Sequence, residues 1–383
     1  MVSQNLQQIV ERSRAYHCLE CGKCTSVCPL ARQQVGYSPR RTVEETLYSQ
    51  DGTSLSDPLL WSCLTCYRCA LVCPQGVDYA GFVRDLRREA RGVGYRGHCT
   101  HGQAIESWMR LMGRPDTAQE RIGWLDGAGQ ISTDGEMVYF VGCLSYYEAL
   151  FHPLGFQGVK IARSAIRVLN HLGLKPIVLA DERCCGHDLL WQGDCENFRR
   201  LAEINLTLLH ATGAQRLVTT CPECYRTLKV DYPAYVGHLG MEVLHISELL
   251  AEQLLKGELQ IADYELQSVT YHDPCRLGRH MRLYDEPRQV IESLGLELVE
   301  MAHNRNRALC CGTSAWTNCG AANKQIQVER LREAKATGAE MLVTACPKCQ
   351  IHLKCAMADE RLGEEIEMEI QDLTTLAGTC LGL

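Results

Sequence analysis

Short apolar runs alternate with longer amphipathic stretches through the second part of this chain. "MVYFVGC", "KPIVLA" and "RLVTTC" are rich in β-branched or aromatic residues and predict strands. "VKIARSAIRVLNHLG" (Val159 to Gly173) has apolar residues at helical spacing and ends on a glycine suited to a helix C-cap. "CENFRRLAEINLTLLHATG" has the same character. Strands alternating with helices predict a parallel α/β layer, which binds ligands beyond the C-terminal ends of its strands. Earlier, "VRDLRREARGVGYRG" (Val83 to Gly97) reads as a basic helix, either a solvated face or a docking surface for an acidic partner.

A length of 383 residues allows two or three domains. The net charge of -7 argues against a nucleic-acid partner. No apolar run approaches membrane-spanning length, so no span of its own is expected, and the first residues lack a secretory core. The 23 cysteines change the picture. Most sit at metal-ligand spacings and their number is odd, which favours a reducing cytoplasm and metal clusters over a disulfide framework.

"CLECGKCTSVCP" and "CLTCYRCALVCP" share the spacing C-x2-C-x2-C-x3-C-P. That run gives three thiolates to one [4Fe–4S] cubane and a fourth to its neighbour. Cys18, Cys21, Cys24 and Cys73 are thus expected on one cubane, and Cys63, Cys66, Cys69 and Cys28 on the other. The region resembles bacterial two-cluster ferredoxins, a one-electron wire.

Two matching groups follow. Cys143 precedes the pair Cys184–Cys185 and then Cys221 and Cys224. Cys275 precedes Cys310–Cys311 and then Cys346 and Cys349. "LVTTCPEC" and "LVTACPKC" match almost letter for letter, so the groups are a duplicated domain. Five thiolates exceed what a cubane or a zinc ion needs. Paired zinc sites, or one site from Cys221, Cys224, Cys346 and Cys349, would leave the vicinal pairs unexplained.

The doubled "C…CCG…CPxC" pattern resembles the cysteine-rich CCG modules found in one component of the heterodisulfide reductases, and the ferredoxin pair resembles a second component of the same enzymes. The whole is similar to the fused catalytic polypeptide of membrane-linked heterodisulfide reductases. The resemblance implies a noncubane [4Fe–4S] cluster on Cys143, Cys184, Cys185, Cys221 and Cys224, and a second on Cys275, Cys310, Cys311, Cys346 and Cys349. A small thiol-derived disulfide would be reduced between them, or formed in reverse. The implied architecture is α+β and α/β. A mainly helical ferredoxin-like domain (1–112) and a linker (113–136) precede two Rossmann-like CCG modules, 137–262 and 263–383.

The expected partners are the disulfide substrate and an electron-exchanging protein, either a flavoprotein or a membrane cytochrome b-like protein. Any membrane association of this cytoplasmic protein would come through that partner. The alternative is an electron relay between a flavoprotein dehydrogenase (glycolate, lactate, glycerol-3-phosphate or succinate type) and quinone or a cytochrome. Two complete modules favour the enzyme. His187, His272 or His280 is either a proton donor to a leaving thiolate or a packing residue. Arg183, Arg276, Arg279, Arg282 and Lys348 either bind an anionic substrate or offset cluster charge. Cys99, Cys195, Cys319, Cys355 and Cys380 fit no motif and are expected to be plain buried residues, a common fate of free cysteine.

Overall fold

The short β-branched and aromatic runs form the strands. The computed structural model describes residues 2–48, 53–255, 268–359, 361–362 and 365–383. The chain divides into two units. One comprises Met1–Leu111, Gly186–Phe198 and Leu309–Gln327. The other comprises Met112–Cys185, Arg199–Ala308 and Val328–Leu383.

In the first unit, every regular element described before residue 112 is helical. Helix α1 (Val2–Arg12) packs on α2 (Tyr79–Gly92), burying Leu6 and Ile9 on one and Phe82, Leu86 and Ala90 on the other. The Asp78 carboxylate caps α2, accepting from the Gly81 amide at 3.0 Å. A cap of this kind contributes about 1 kcal/mol.

This unit also takes in Gly186–Phe198, which follows the first vicinal pair, and Leu309–Gln327, which contains the second. Arg91 and Arg110 pair with Asp194 at 3.1 and 2.8 Å. The Trp316 carbonyl accepts from the Thr100 amide at 2.8 Å, and the hydroxyls of Thr65 and Ser314 meet at 2.9 Å. The basic helix is therefore not a freely solvated face: Arg87 is wholly buried, and Arg84 lies 5.5 Å over the Trp191 ring.

The second unit holds two parallel sheets. β1 (Met137–Phe140), β2 (Arg216–Thr219) and β3 (Glu242–His245) run in the order β1-β2-β3. β4 (Ser268–His272), β5 (Glu297–Leu298), β6 (Met341–Thr344) and β7 (Glu369–Asp372) run β5-β4-β6-β7. Of "KPIVLA" only Ile177 bridges to β1, donating to the Met137 carbonyl and accepting from Tyr139, both at 2.9 Å. It stands beside β1 as β5 stands beside β4, so the duplication is structural as well as sequential. Val138, Tyr139 and Phe140 are buried without alternation, as parallel strands covered on both faces require.

Four helices tie the repeats together: α3 (Gly158–His171), α4 (Ile246–Leu255), α5 (Glu286–Ser293) and α6 (Leu373–Cys380). The first-repeat helix α3 packs against the second-repeat α6, and α4 packs against α5. The expected module boundary at 262/263 lies outside the described residues. The stretch 113–136, expected to be a linker, instead packs into this unit. Arg121, Trp124 and Ala128 are buried, the Trp124 carbonyl accepts from Arg163 at 2.9 Å, and the Gln130 amide donates to Asn170 at 2.6 Å.

Asp372, at the end of β7, is 1 % exposed. One of its oxygens accepts from the Thr374 amide at 2.8 Å, and Oδ2 has no hydrogen-bond partner among the described residues. Burial pushes its carboxyl from 3.8 up to about 7. A folded pKa above the unfolded one gives stability that is full below the unfolded value and is lost as pH rises through the folded value. Asp372→Asn keeps the cap and removes the buried charge. Melting curves should show the variant above the parent at about pH 8, by on the order of 2–4 kcal/mol, with the gap narrowing toward about pH 5.

Candidate functional site

Both copies of the C-x2-C-x2-C loop adopt one backbone form. Glu20 and Thr65, at matching positions, have φ of 51° and 46°, and Gly22 and Tyr67 have φ of 75° and 68°. Left-handed backbone at a non-glycine residue costs about 1–3 kcal/mol and collects at functional sites. A short helix follows each loop, Lys23–Val27 and Arg68–Leu71, and the two helices touch.

The structure brings Cys28 from the first loop together with Cys63, Cys66 and Cys69 from the second. All four line one pocket, with Tyr37 and Tyr79 in its wall. Burial, aided by Cys66 and Cys63, pushes the Cys28 thiol up to about 12. Burial and the same neighbours raise Cys69 well above its ordinary value. Four thiols converging where burial raises Cys28, Cys63 and Cys69 fit a metal cluster, whose positive charge makes thiolates the stable form. On the other side, burial raises the Cys24 thiol, and nearby Cys18 adds to that rise. Cys21 is exposed and Cys73 half-buried; the Cys73 sulfur accepts from the Val77 amide at 3.4 Å.

In the second unit, the first CCG set sits past the C-terminal ends of neighbouring strands, Cys143 after β1 and Cys221 and Cys224 after β2. Cys185 is hydrogen-bonded to Cys184 and Cys224, and Cys224 also to Cys221. The bond to Cys184, with burial, drives Cys185 far above the ordinary thiol range against the lowering effect of Cys224, and the bonds to Cys185 and Cys221, with burial, do the same to Cys224. Gly142, next to Cys143, has φ +67°, and a Cβ there would stand 2.9 Å from the Cys224 sulfur. Cys184, Cys185, Cys221 and Cys224 thus meet the same test: adjacent thiols, all but Cys221 fully buried, with backbone room that only glycine leaves.

Its supports are polar and buried. Glu182, two residues before the vicinal pair, accepts from the Val141 and Gly142 amides at 3.0 and 2.7 Å. It pairs with Arg121 at 2.9 Å. Burial raises the Glu182 carboxyl to about 7 despite that arginine. The Asn205 amide group donates to the carbonyls of Arg183 and Cys184 at 3.2 and 3.1 Å and to the Tyr232 hydroxyl at 3.0 Å. Sequence alone could not find Arg121 or Asn205, because neither lies in a cysteine motif.

Of the second set, Cys275, Cys346 and Cys349 lie in the second unit and Cys310 and Cys311 in the first. Cys346 caps its own C-P-x-C helix, its sulfur accepting from the Cys349 amide at 3.3 Å. The variable residues of the two C-P-x-C motifs meet: Lys348, 3 % exposed, pairs with Glu223 at 2.7 Å.

His187 is buried in the first unit with Nδ1 at 3.0 Å from the Asp188 carboxylate. His272 accepts from Arg330 Nε at 3.0 Å, and His280 lies between Arg226 and Arg276. Arg279 donates to the Ala308 carbonyl at 2.7 Å, and Arg282 is exposed. Arg183 donates to the Thr117 carbonyl at 3.1 Å, while its Nε and Nη1 have no hydrogen-bond partner among the described residues. Of the cysteines outside the motifs, only Cys380 is buried. Cys99, Cys195 and Cys355 are half-buried and Cys319 is exposed, because they sit at helix ends and outer turns rather than on core faces.

The sequence matches the 4Fe-4S dicluster domain over residues 14–77 and the cysteine-rich domain twice, over 137–229 and 269–354. It is 32 % identical over 273 residues to one polypeptide of the dihydromethanophenazine:CoB–CoM heterodisulfide reductase of Methanosarcina mazei, across 69 % of this chain and 64 % of that one. It is 27 % identical over 376 residues to one polypeptide of the fumarate reductase (CoM/CoB) of Methanothermobacter marburgensis, across 94 % of this chain and 72 % of that one. The chain thus spans just under two thirds of the Methanosarcina relative. A crystal structure of a hypothetical protein from Helicobacter pylori shares the fold, with a TM-score of 0.54 at 12 % identity, covering 99 % of this chain and 72 % of that one. A dicluster region joined to two cysteine-rich domains, with these relatives, places the chain in the heterodisulfide reductase family of iron–sulfur proteins.

Proposed function

We propose that this chain is an oxidoreductase that reduces a small-molecule disulfide, or forms it in reverse. The convergence of Cys184, Cys185, Cys221 and Cys224 carries this reading. One buried site crowded with that many thiols suits neither a dithiol exchanger, which needs two, nor zinc, whose fourfold shell leaves Cys143 over. Cys18, Cys21, Cys24 and Cys73 would hold one cubane, and Cys63, Cys66, Cys69 and Cys28 the other. Cys143, Cys184, Cys185, Cys221 and Cys224 would hold one noncubane cluster, and Cys275, Cys310, Cys311, Cys346 and Cys349 the second, on Rossmann-like modules. When bound, such clusters supply one-electron transfer and sulfur-binding iron.

The chain's own residues supply the rest. His187, its Nδ1 at 3.0 Å from the Asp188 carboxylate, would serve as proton donor to a departing thiolate. Arg183 presents two guanidinium nitrogens beside Cys184 that no other group engages among the described residues, which fits an anionic group on the substrate. Exposed Cys21, with Leu19 and Tyr16 at 64 % and 55 % exposure beside it, supports electron exchange with a partner protein at that edge.

Anaerobically purified protein should contain about 16 iron atoms, four for each of four clusters. A thiol added to oxidised protein should produce a new paramagnetic signal. About 8 iron atoms with zinc in place of the rest would overturn the noncubane assignment. Silence toward every thiol, with all clusters reduced by a flavoprotein, would identify a relay instead.

A further inference from the structure

The basic helix α2 carries one arginine that neither solvation nor docking explains. Arg87 is 0 % exposed. Its guanidinium donates to the carbonyls of Leu60 at 3.1 and 3.2 Å, Trp61 at 3.1 Å and Cys63 at 2.8 Å. Its Nη1 donates to the Trp191 carbonyl at 3.0 Å, and the guanidinium lies 5.6 Å over the Trp61 ring. The backbone leading into the second cysteine loop is folded around this one side chain. Only arginine combines several rigidly directed donors with a charge that persists when buried. A buried charge also acts over a longer range than an exposed one, because salt screens it little.

We propose that Arg87 is a positioning residue whose fixed charge raises the reduction potential of the cluster on Cys28, Cys63, Cys66 and Cys69. This rests on the cubane assignment above. Each electron added to a thiolate-bound cluster makes it more negative, and a neighbouring cation stabilises that state. Burial acts the other way, since loss of water disfavours the more charged state. By burial alone, the Cys63 cluster would be harder to reduce than the exposed Cys18 cluster. Arg87 reverses that order, so electrons arriving at the exposed edge pass inward downhill. The bond to Trp191 adds a mechanical role. The helix His187–Trp191 begins two residues after Cys185, and it is anchored to the same guanidinium as the Cys63 loop.

The test is an EPR-monitored redox titration of the full chain. R87Q keeps two donors and loses the charge; R87K keeps the charge. With iron content unchanged, R87Q should make one cubane at least tenfold harder to reduce, a shift of about 59 mV for a one-electron couple. R87K should titrate near the parent. An unmoved potential in fully loaded R87Q would overturn the inference, as would equal shifts in both variants. If R87Q loses the cluster, the order in otherwise unaltered protein decides. The cubane remaining in C21S should titrate above the one remaining in C66S, and the opposite order would overturn the inference. No cubane signal at all from C21S would overturn the cluster assignment itself, and the inference with it.

Discussion

Cys185→Ser is expected to abolish disulfide turnover while both ferredoxin-type clusters stay assembled. Cys185 is the sulfur that bonds both to its neighbour Cys184 and to Cys224 across the site. A serine oxygen is a harder ligand than thiolate and suits an iron–sulfur cluster poorly. The eight cysteines of the dicluster region lie in the first unit and Cys185 in the second, so the loss should stay local. Iron should fall from about 16 to about 12 atoms with the cubane EPR signals retained. Cys311→Ser should likewise abolish turnover, although Cys311 lies in the first unit with the dicluster cysteines. Unchanged turnover in either variant would rule out the proposed site.

The second large effect falls on stability. Arg121→Met leaves Glu182 wholly buried without the guanidinium that pairs with it. Removing one partner of a buried ion pair costs about 3–5 kcal/mol, whereas replacing both with apolar groups is often close to neutral. Arg121 also donates to the Gly142 carbonyl at 2.6 Å, so the loop before Cys143 should loosen as well. R121M should therefore melt well below the parent and purify with less iron. R121M/E182L should recover much of the melting temperature. If the double variant is no better than the single, charge burial is not the cause.

Much of this was readable in the chain because the signals are local. Cysteine spacing fixes which sulfurs share a loop; both loops fold alike, and Cys28 lines one pocket with Cys63, Cys66 and Cys69. Four-residue β-branched runs formed strands because parallel strands covered on both faces need little else. What escaped was set by partners far along the chain. Arg87 looks like any arginine on a charged helix until the carbonyls of Leu60–Cys63 surround it. The stretch 113–136 has the composition of a connector, but Arg121 makes it part of a site wall. Ile177 sits in a run with strand composition that shortens to one bridging residue. The segments after each vicinal pair carry no mark that assigns them to the first unit.

The paired helices give the duplication a further meaning. When α3 meets α6 and α4 meets α5, each half offers the other the same two surfaces, as the two copies in an isologous dimer do. In a dimer of identical chains, matching positions facing each other across the axis must carry the same residue. Two glutamates or two lysines there would repel. Joining both halves in one chain lifts that restriction, and the C-P-x-C motifs use it: glutamate stands in one and lysine in the other, and they bind each other. The two halves are thus free to diverge into unequal roles while the contact between them gains from their difference.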